Sequence, residues 1–299
     1  MKFFTTRDNT EIFYKDAGHG PAVILIHGWP LSADMWDEQT LSLLEAGFRV
    51  VSYDRRGFGR SEQTASGYDY DTLAADLKDL IYYLKLEKVA LVGFSMGGGE
   101  VARYLGQFGS ERISCAAFVS TSTPFRKKTK DNPNGAPEEK LNDTKNGIKK
   151  DRFAFFHNFF KDFFGRTTIK HPISMQALEW AERTASMASL KATLECVDAF
   201  GLTDLREDVR SIDIPTLIIH GTADKIVPMN GSADLMAELL PTAKYIKYDE
   251  APHGLNLTHK EKLSRDLTEF LNARATKEYG GRPMKKADQW SEDKFGERH

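Results

Sequence analysis

The chain has 299 residues, of which 40% are hydrophobic and 28% are charged, values typical of a globular protein with a sizeable core. Its formal net charge of −2 gives no electrostatic reason to expect a nucleic acid or an anionic membrane as a partner. Two cysteines, Cys115 and Cys196, are too few for a disulfide framework. Charge appears in the first residues before any long apolar run, so we expect neither a signal peptide nor a membrane helix, and we expect a cytoplasmic location.

Short apolar runs predict a sheet whose strands alternate with helices. A period-two pattern around Ile12 and Tyr14 indicates a first strand, and the continuous β-branched runs that follow are typical of strands buried on both faces. These runs cover residues 22–26, 49–53, 89–92, 113–119 and 216–219, with a weaker strand at 244–248. Apolar residues from Leu73 to Leu84 at spacings of three and four predict a helix that begins after Asp71 as its N-cap. The alternation indicates an α/β fold with a mostly parallel, doubly wound sheet.

The interval between the strand that ends at Val119 and the strand that begins at Thr216 is too long for a single crossover. It opens with a polar, breaker-rich stretch and continues with helical patterns, so we interpret residues 121–213 as a helical cap inserted into a core of residues 1–120 and 214–272. Six phenylalanines between Phe153 and Phe163 are either the packing core of this cap or the lining of an acyl pocket, or both. Residues 273–299 form a polar extension with a composition typical of a flexible tail.

The strongest chemical signal is Gly93-Phe94-Ser95-Met96-Gly97, which matches G-x-S-x-G between a buried strand and a helix. In this context the motif predicts a nucleophile elbow, a tight turn that exposes the serine hydroxyl at the carboxyl end of a strand. Glycines are needed on both sides because a side chain there would collide with neighbouring backbone. Ser95 is therefore the predicted nucleophile.

A serine nucleophile needs a base, and an acid behind the base. Among the eight histidines, His253 follows the last strand and precedes the final helix, a position from which a loop reaches the edge of the sheet. His220 closes a buried strand, where packing is the favoured role, and His259 lies near the start of the last helix. Asp224 is the carboxylate on the loop after strand 216–219, whereas the loop after Val119 has none. The order Ser95, Asp224, His253 is the order that α/β-hydrolases use.

An oxyanion hole requires two amides that point to one position. Met96, which follows the nucleophile, supplies the first backbone N–H in this prediction, and Trp29 in the loop after the first buried strand supplies the second. Neighbouring Gly28 gives the backbone room to approach, and His27 is expected to brace the loop through hydrogen bonds. The residues expected to line the substrate pocket are Trp29, Pro30, Phe94, Phe156, Phe160 and Val227.

With these segments in place, the sequence resembles the bacterial cofactor-free haloperoxidases and aryl esterases of the α/β-hydrolase superfamily. Residues 27–31, 53–61, 67–71, 92–104 and 251–255 carry the resemblance, which spans about residues 1–272. It implies hydrolysis of small carboxylic esters through an acyl-enzyme, together with perhydrolysis, in which hydrogen peroxide replaces water and a peracid is released. The peracid then oxidises halide in solution, so the resemblance implies no metal or cofactor, and the sequence contains no metal-ligand constellation.

Pro30 lacks an N–H group, fixes its own φ and restricts Trp29. From this we hypothesise that it places the Trp29 carbonyl where peroxide donates a hydrogen bond. A lactone or another acyl substrate stays open as an alternative, and so does a ligand-sensing receptor on the same fold. Haloalkane dehalogenases and epoxide hydrolases place aspartate at the position of Ser95, which argues against them here. The expected partner is a small-molecule ester or peroxide, and a homo-oligomer is neither predicted nor excluded.

Overall fold

An eight-stranded sheet crosses the computed structural model, which describes residues 1–278. The strands are β1 (Lys2–Thr5), β2 (Glu11–Ala17), β3 (Ala22–Ile26), β4 (Arg49–Tyr53), β5 (Val89–Phe94), β6 (Ile113–Val119), β7 (Thr216–Gly221) and β8 (Lys244–Tyr248). Their order across the sheet is β1-β2-β4-β3-β5-β6-β7-β8. The pairs β1–β2 and β2–β4 are antiparallel, and every other pair is parallel. The predicted α/β class with a mostly parallel sheet is confirmed.

The strands expected to be buried on both faces lie in the middle of the sheet, and every residue of β3, β5 and β7 is buried. Two strands extend further than the sequence predicts, because β5 continues through Phe94 and β7 continues through Gly221. The strand β1, which the sequence analysis did not predict, pairs with β2 at the edge. The carboxyl ends of β5, β7 and β8 therefore share one edge of the sheet, where Ser95, Asp224 and His253 follow.

Helices cover both faces of the sheet. They are α1 (Asp37–Glu45), α2 (Tyr70–Tyr83), α3 (Met96–Phe108), α4 (Glu138–Phe163), α5 (Met175–Ser186), α6 (Leu190–Leu202), α7 (Arg206–Arg210), α8 (Ala233–Leu239), α9 (Leu255–Thr258) and α10 (Lys260–Glu278). Two separate apolar clusters result, one on each side of the sheet, as a doubly wound fold requires. No helix of the described residues combines the length and the apolar character that crossing a membrane requires.

The N-cap predicted for α2 is wrong by two residues. Asp69 is the cap, since its backbone is extended and its side chain accepts a hydrogen bond from the Thr72 N–H, whereas Asp71 lies in the first turn. Both aspartates satisfy the sequence preference for an acid at a helix start. Only the backbone conformation decides between them.

Four helices, α4 to α7, lie between β6 and β7, in the interval that the sequence analysis interprets as a cap. The backbone of Asp151 leaves helical geometry inside α4 (φ −162°, ψ 95°), and its carboxylate accepts from the amides of Phe153 and Ala154, so a second helical segment starts there. The sequence analysis assigns the short helix α7 to the cap. In the structure, however, its residue Val209 packs in the apolar cluster on one face of the sheet, together with residues of α3.

The boundary predicted at residue 272 falls inside α10, which continues to Glu278. Ala275 is still buried, so the first residues assigned to the polar extension belong to the core helix. Residues 279–299, on which the expectation of a flexible tail falls, lie outside the described residues.

Candidate active site

The turn from β5 into α3 holds Ser95 in an unusual backbone conformation, with φ 52° and ψ −116°. A non-glycine residue adopts a positive φ at a cost, which the surrounding structure must offset. The segments around this turn approach each other closely: a Cβ added at Gly93 would lie 2.5 Å from the Gly97 carbonyl oxygen, and one added at Gly97 would lie 2.6 Å from the Ile26 carbonyl oxygen. The two glycines thus permit a turn that no other residue type fits, as the sequence predicts.

The three predicted triad residues come together at the sheet edge. His253 Nε2 lies 3.0 Å from Ser95 Oγ, and His253 Nδ1 lies 2.6 Å from Asp224 Oδ2. Both distances are within hydrogen-bonding range, and the imidazole bridges the hydroxyl and the carboxylate. His259, the neighbouring alternative, contacts Thr258 instead. The geometry therefore allows the imidazole to take the Ser95 proton while the carboxylate fixes its orientation.

Asp224 is held by more partners than the sequence analysis foresaw. Its Oδ1 accepts hydrogen bonds from the amides of Ile226 and Val227 at 2.9 and 2.8 Å, and its Oδ2 lies 3.2 Å from His220 Nε2. Burial opposes ionisation of this carboxyl, but the imidazoles of His253 and His220 outweigh burial and hold the pKa of Asp224 below its usual range. An ionised Asp224 is the form that orients and stabilises a protonated imidazole.

Aromatic rings fix the position of His253. Phe94 and Phe163 meet its ring edge to face, with centroid distances of 5.2 and 4.9 Å. The Ser120 hydroxyl donates to the His253 carbonyl oxygen at 3.0 Å, which anchors the loop to the end of β6. These contacts leave the imidazole 1% exposed. The candidate base is thus preorganised rather than mobile.

The loop after β3 passes directly beside the candidate nucleophile. A Cβ at Gly28 would lie 2.6 Å from the Phe94 ring and 3.2 Å from Ser95 Cβ, so only glycine permits this approach. Trp29 follows on that loop, and Met96 is the first residue of α3, where a backbone N–H has no partner within the helix. The two amides predicted to form an oxyanion hole therefore lie on the two segments that flank Ser95.

His27 belongs to a buried network that ties this loop to α3. Its Nδ1 lies 2.9 Å from the Gly28 carbonyl oxygen, its Nε2 accepts from the Arg55 amide at 2.9 Å, and Arg55 in turn pairs with Glu100 of α3 at 2.8 Å. Burial, together with the charge of Arg55, lowers the pKa of His27 well below its usual value. A neutral imidazole in this position braces the loop, in agreement with the bracing role expected from the sequence.

A cavity of about 370 Å³ opens above Ser95 and His253. Its apolar wall is built by Trp29, Leu141, Phe155, Phe159, Phe200, Ile226 and Val227, and charged side chains complete it. Cavities of this size suit small ligands. Of the residues expected to line the pocket, Trp29 and Val227 do so.

The other four pocket candidates lie elsewhere, and the expectation for them is wrong. Phe156 and Phe160 are fully buried and pack on other rings of α4, because the adjacent apolar face of the helix, with Phe155 and Phe159, borders the cavity. Phe94 is fully buried in contact with the His253 ring, and Pro30 is buried and does not line the cavity. The phenylalanine cluster thus has both roles that the sequence left open.

Sequence reasoning also missed residues that the fold brings to the site. His220 contacts Asp224 because β7 is longer than predicted and the following loop folds back. In the sequence, only the spacing of four residues between them could have indicated this contact. Arg126, which follows β6, and Phe200 of α6 reach the cavity from the interval between β6 and β7. No group of three or more histidine, cysteine, aspartate or glutamate side chains is placed to hold a metal within residues 1–278.

Comparison with known proteins places this site in a family. The family model described as the alpha/beta hydrolase fold matches residues 21–260. A non-heme chloroperoxidase of Kitasatospora aureofaciens is 41% identical over 274 residues, covering 91% of this chain and 100% of the relative. A bifunctional esterase/perhydrolase of Acinetobacter calcoaceticus is 38% identical over 280 residues, covering 91% of this chain and 100% of the relative.

A solved structure agrees with the sequence relatives. The crystal structure of a bromoperoxidase from Bacillus anthracis superposes with a TM-score of 0.86 at 43% identity, covering 90% of this chain and 99% of the other. The chain therefore belongs to the α/β-hydrolase superfamily, and within it to the family of the non-heme haloperoxidases and their esterase/perhydrolase relatives.

Proposed function

We propose that this protein is a serine hydrolase that cleaves small carboxylic esters through an acyl-enzyme on Ser95, with perhydrolysis by hydrogen peroxide as a second reaction of the same intermediate. The observation that carries the proposal is the continuous chain Ser95–His253–Asp224, with contacts of 3.0 and 2.6 Å, of which Ser95 and His253 line a largely apolar cavity. Membership of the family described above supports the same chemistry.

In the proposed mechanism, Ser95 Oγ attacks the ester carbonyl carbon while His253 Nε2 takes the hydroxyl proton. The oxyanion of the tetrahedral intermediate accepts hydrogen bonds from the amides of Trp29 and Met96. The ester C–O bond then breaks, and His253 gives its proton to the departing alcohol. Asp224 stabilises the imidazolium in both steps.

Release of the acyl group follows the same proton-transfer steps, with water or hydrogen peroxide as the nucleophile. His253 takes a proton from the incoming molecule, whose oxygen bonds to the acyl carbon. The bond from the acyl carbon to Ser95 Oγ then breaks, and His253 returns the proton to Oγ. Water gives the carboxylic acid and peroxide gives the peracid. The volume of about 370 Å³ favours short acyl or aryl groups over long chains.

Replacement of Ser95 with alanine tests the proposal. We expect turnover of nitrophenyl acetate to fall by at least about 10³-fold, with little change in thermal stability, since the hydroxyl is the nucleophile and not a packing group. Many cycles per active site in the wild type, counted against fluorophosphonate-labelled Ser95, distinguish an enzyme from a ligand sensor. A single stoichiometric burst, or equal turnover in Ser95→Ala, would contradict the proposal.

The choice between water and peroxide is proposed to depend on Pro30, which acts through its neighbour Trp29. Because Pro30 has no N–H and restricts Trp29, it sets the direction of the Trp29 carbonyl, which accepts the hydrogen bond of an incoming peroxide. In Pro30→Leu we expect the ratio of peracid formation to ester hydrolysis to fall. The two products are measured in the same reaction, so an unchanged ratio would refute this role whatever happens to overall activity.

We also propose that the protein acts in the cytoplasm on small molecules, without a nucleic acid or a membrane as a partner. The formal charge of −2 supports this, because polyanion-binding proteins concentrate positive charge. Two cysteines, both buried, also differ from the disulfide frameworks of small secreted domains. Cell fractionation with activity measurements would test the location.

A further inference from the structure

The cavity contains an arginine with an incomplete set of partners. Arg126 lies in the segment after β6, and one nitrogen of its guanidinium, Nη2, donates to the Ile226 carbonyl oxygen at 2.7 Å. The guanidinium carbon lies 5.6 Å from the centroid of the Phe200 ring. Its Nε is buried and has no hydrogen-bond partner among the described residues. Arg126 therefore lines a ligand-sized space while its guanidinium makes one hydrogen bond to the described residues, which leaves donor capacity unused.

The two fully buried arginines of the described residues are paired with carboxylates. Arg55 forms an ion pair with Glu100, and Arg56 forms one with Asp76, at 2.8 and 2.6 Å. In the part of the chain that the structure describes, Arg126 has no such pair. Burial lowers its pKa, but an arginine side chain keeps its proton at neutral pH. Arg126 is half-buried and has no carboxylate at ion-pair distance, although the charge of Asp224 acts on it from further away. Its guanidinium can therefore pair with an anionic ligand from outside the chain.

The remaining charges around the cavity point the same way. Lys140 and Lys225 also line it, and both are exposed to solvent. Asp162, likewise exposed, is the one carboxylate among the described lining residues. Three lysine and arginine side chains against one carboxylate make the lining more positive than negative, and the buried charge of Asp224 lies behind His253 and not in the lining. An excess of positive charge attracts anionic ligands.

We propose that the preferred substrates are esters that carry a carboxylate, and that Arg126 binds this carboxylate while Ser95 attacks the ester carbonyl. The inference rests on the hydrolase function proposed above. The carboxylate takes no part in the bond changes: the acyl–Ser95 bond forms, the alcohol leaves with the proton from His253, and water later releases the acid. The planar guanidinium matches a carboxylate in two hydrogen bonds, which ammonium groups do not reproduce.

A rival role for Arg126 is to brace the loop that carries Asp224, through its bond to Ile226. The two roles differ in what they do to selectivity. Loss of a brace lowers activity on charged and neutral esters alike, whereas loss of a carboxylate partner lowers activity on charged esters selectively. The informative quantity is therefore the ratio of kcat/KM for an anionic ester to that for a neutral ester of the same size.

The experiment uses two pairs of esters, one with the carboxylate on the acyl side and one with it on the alcohol side. The pairs are the nitrophenyl half-ester of glutarate against nitrophenyl pentanoate, and carboxyphenyl acetate against methylphenyl acetate. In Arg126→Gln we expect the anionic-to-neutral ratio to fall by about tenfold or more in at least one pair, the effect of a lost charge-assisted contact. The pair that responds identifies the side of the ester that Arg126 contacts. A ratio within twofold of wild type in both pairs would overturn the inference.

Lys128→Gln is the matched control, because Lys128 is an exposed cation of the same segment that does not line the cavity. It makes the same change of net charge, so we expect its ratios to stay near those of wild type. A fall equal to that of Arg126→Gln would attribute the preference to overall charge and overturn the assignment to Arg126.

Binding measurements separate this inference from the proposed hydrolase function. Calorimetry on Ser95→Ala requires no turnover, and glutarate is expected to bind at least about tenfold more tightly than uncharged pentanediol. If the wild-type protein turned over no ester but glutarate still bound, the proposed hydrolase function would be refuted and the carboxylate site would be supported. Equal or undetectable binding of both compounds would refute the carboxylate site, even if neutral esters are hydrolysed and Arg126→Gln fails to fold.

Discussion

Replacing Asp224 with asparagine removes one charge behind the imidazole while keeping the size of the side chain. The orientation of the new amide is fixed by its surroundings. Its oxygen must stay at the Oδ1 position, because the amides of Ile226 and Val227 both donate to that site. Its NH₂ group must then replace Oδ2 and face His253 Nδ1, which lies 2.6 Å from that oxygen in the wild type.

This orientation forces the imidazole into the wrong tautomer. Nδ1 must accept the amide proton, so the ring proton moves to Nε2, the nitrogen that lies 3.0 Å from Ser95 Oγ. A protonated Nε2 cannot take the proton of Ser95, and the imidazolium also loses the charge behind it. We expect kcat to fall by about 10⁴-fold, the size of effect measured for this substitution in a serine protease triad, or about 5.5 kcal/mol of transition-state stabilisation.

Initial rates on nitrophenyl acetate, with active sites counted by titration, measure this loss. The matched control is Asp249→Asn, the same chemical change on the exposed loop after β8, where the carboxylate contacts Thr222. Its kcat is expected to stay within a few-fold of wild type. A decrease in kcat of less than tenfold in a properly folded Asp224→Asn protein would refute the tautomer argument. Asp224 would then not be the acid behind His253.

Two further predictions concern stability and specificity. His27 is neutral in the native protein, whereas in the unfolded chain it takes up a proton near pH 6.5. The free energy of unfolding therefore decreases as the pH falls below about 6.5, by at most about 1.4 kcal/mol per pH unit for this residue. Chemical denaturation at about pH 7 and about pH 5 should therefore show a smaller decrease in His27→Gln, and equal decreases would disprove the assignment. Phe159→Ala should enlarge the cavity and raise the octanoate-to-acetate ratio of kcat/KM by roughly tenfold, whereas Phe153→Ala, on the same helix but 62% exposed, should leave it unchanged. Equal ratios in the two variants would argue against Phe159 as a limit on chain length.

Features with a local cause could be predicted from the sequence. The elbow at Ser95 depends on two glycines within two residues of the serine, and the buried strands depend on continuous β-branched runs. Asp224 and His253 could be predicted from the strands that they follow, because parallel strands present their carboxyl ends at one edge, and from the absence of a carboxylate in the loop after Val119. The family resemblance added the expected chemistry, and the comparisons agree with it.

Features that depend on contacts between distant segments could not be predicted. Periodicity separated the two phenylalanine faces of α4, but both faces are apolar, so nothing in the pattern indicates that Phe155 and Phe159 border the cavity. Arg126 shows no local signal either, since its surroundings come from the loop after β7 and from α6. The choice between Asp69 and Asp71 as a cap required the backbone angles.

The indole of Trp29 donates to the Thr193 carbonyl oxygen of α6 at 3.1 Å, across 164 positions of the chain. The residue expected to supply an oxyanion amide is thus tied to the helices that shape the substrate cavity. Exchanging these helices between relatives would therefore change the rate as well as the substrate preference, unless the new helix places a backbone carbonyl oxygen at the same position. A change of a single cavity side chain leaves this hydrogen bond in place and can alter the substrate preference alone.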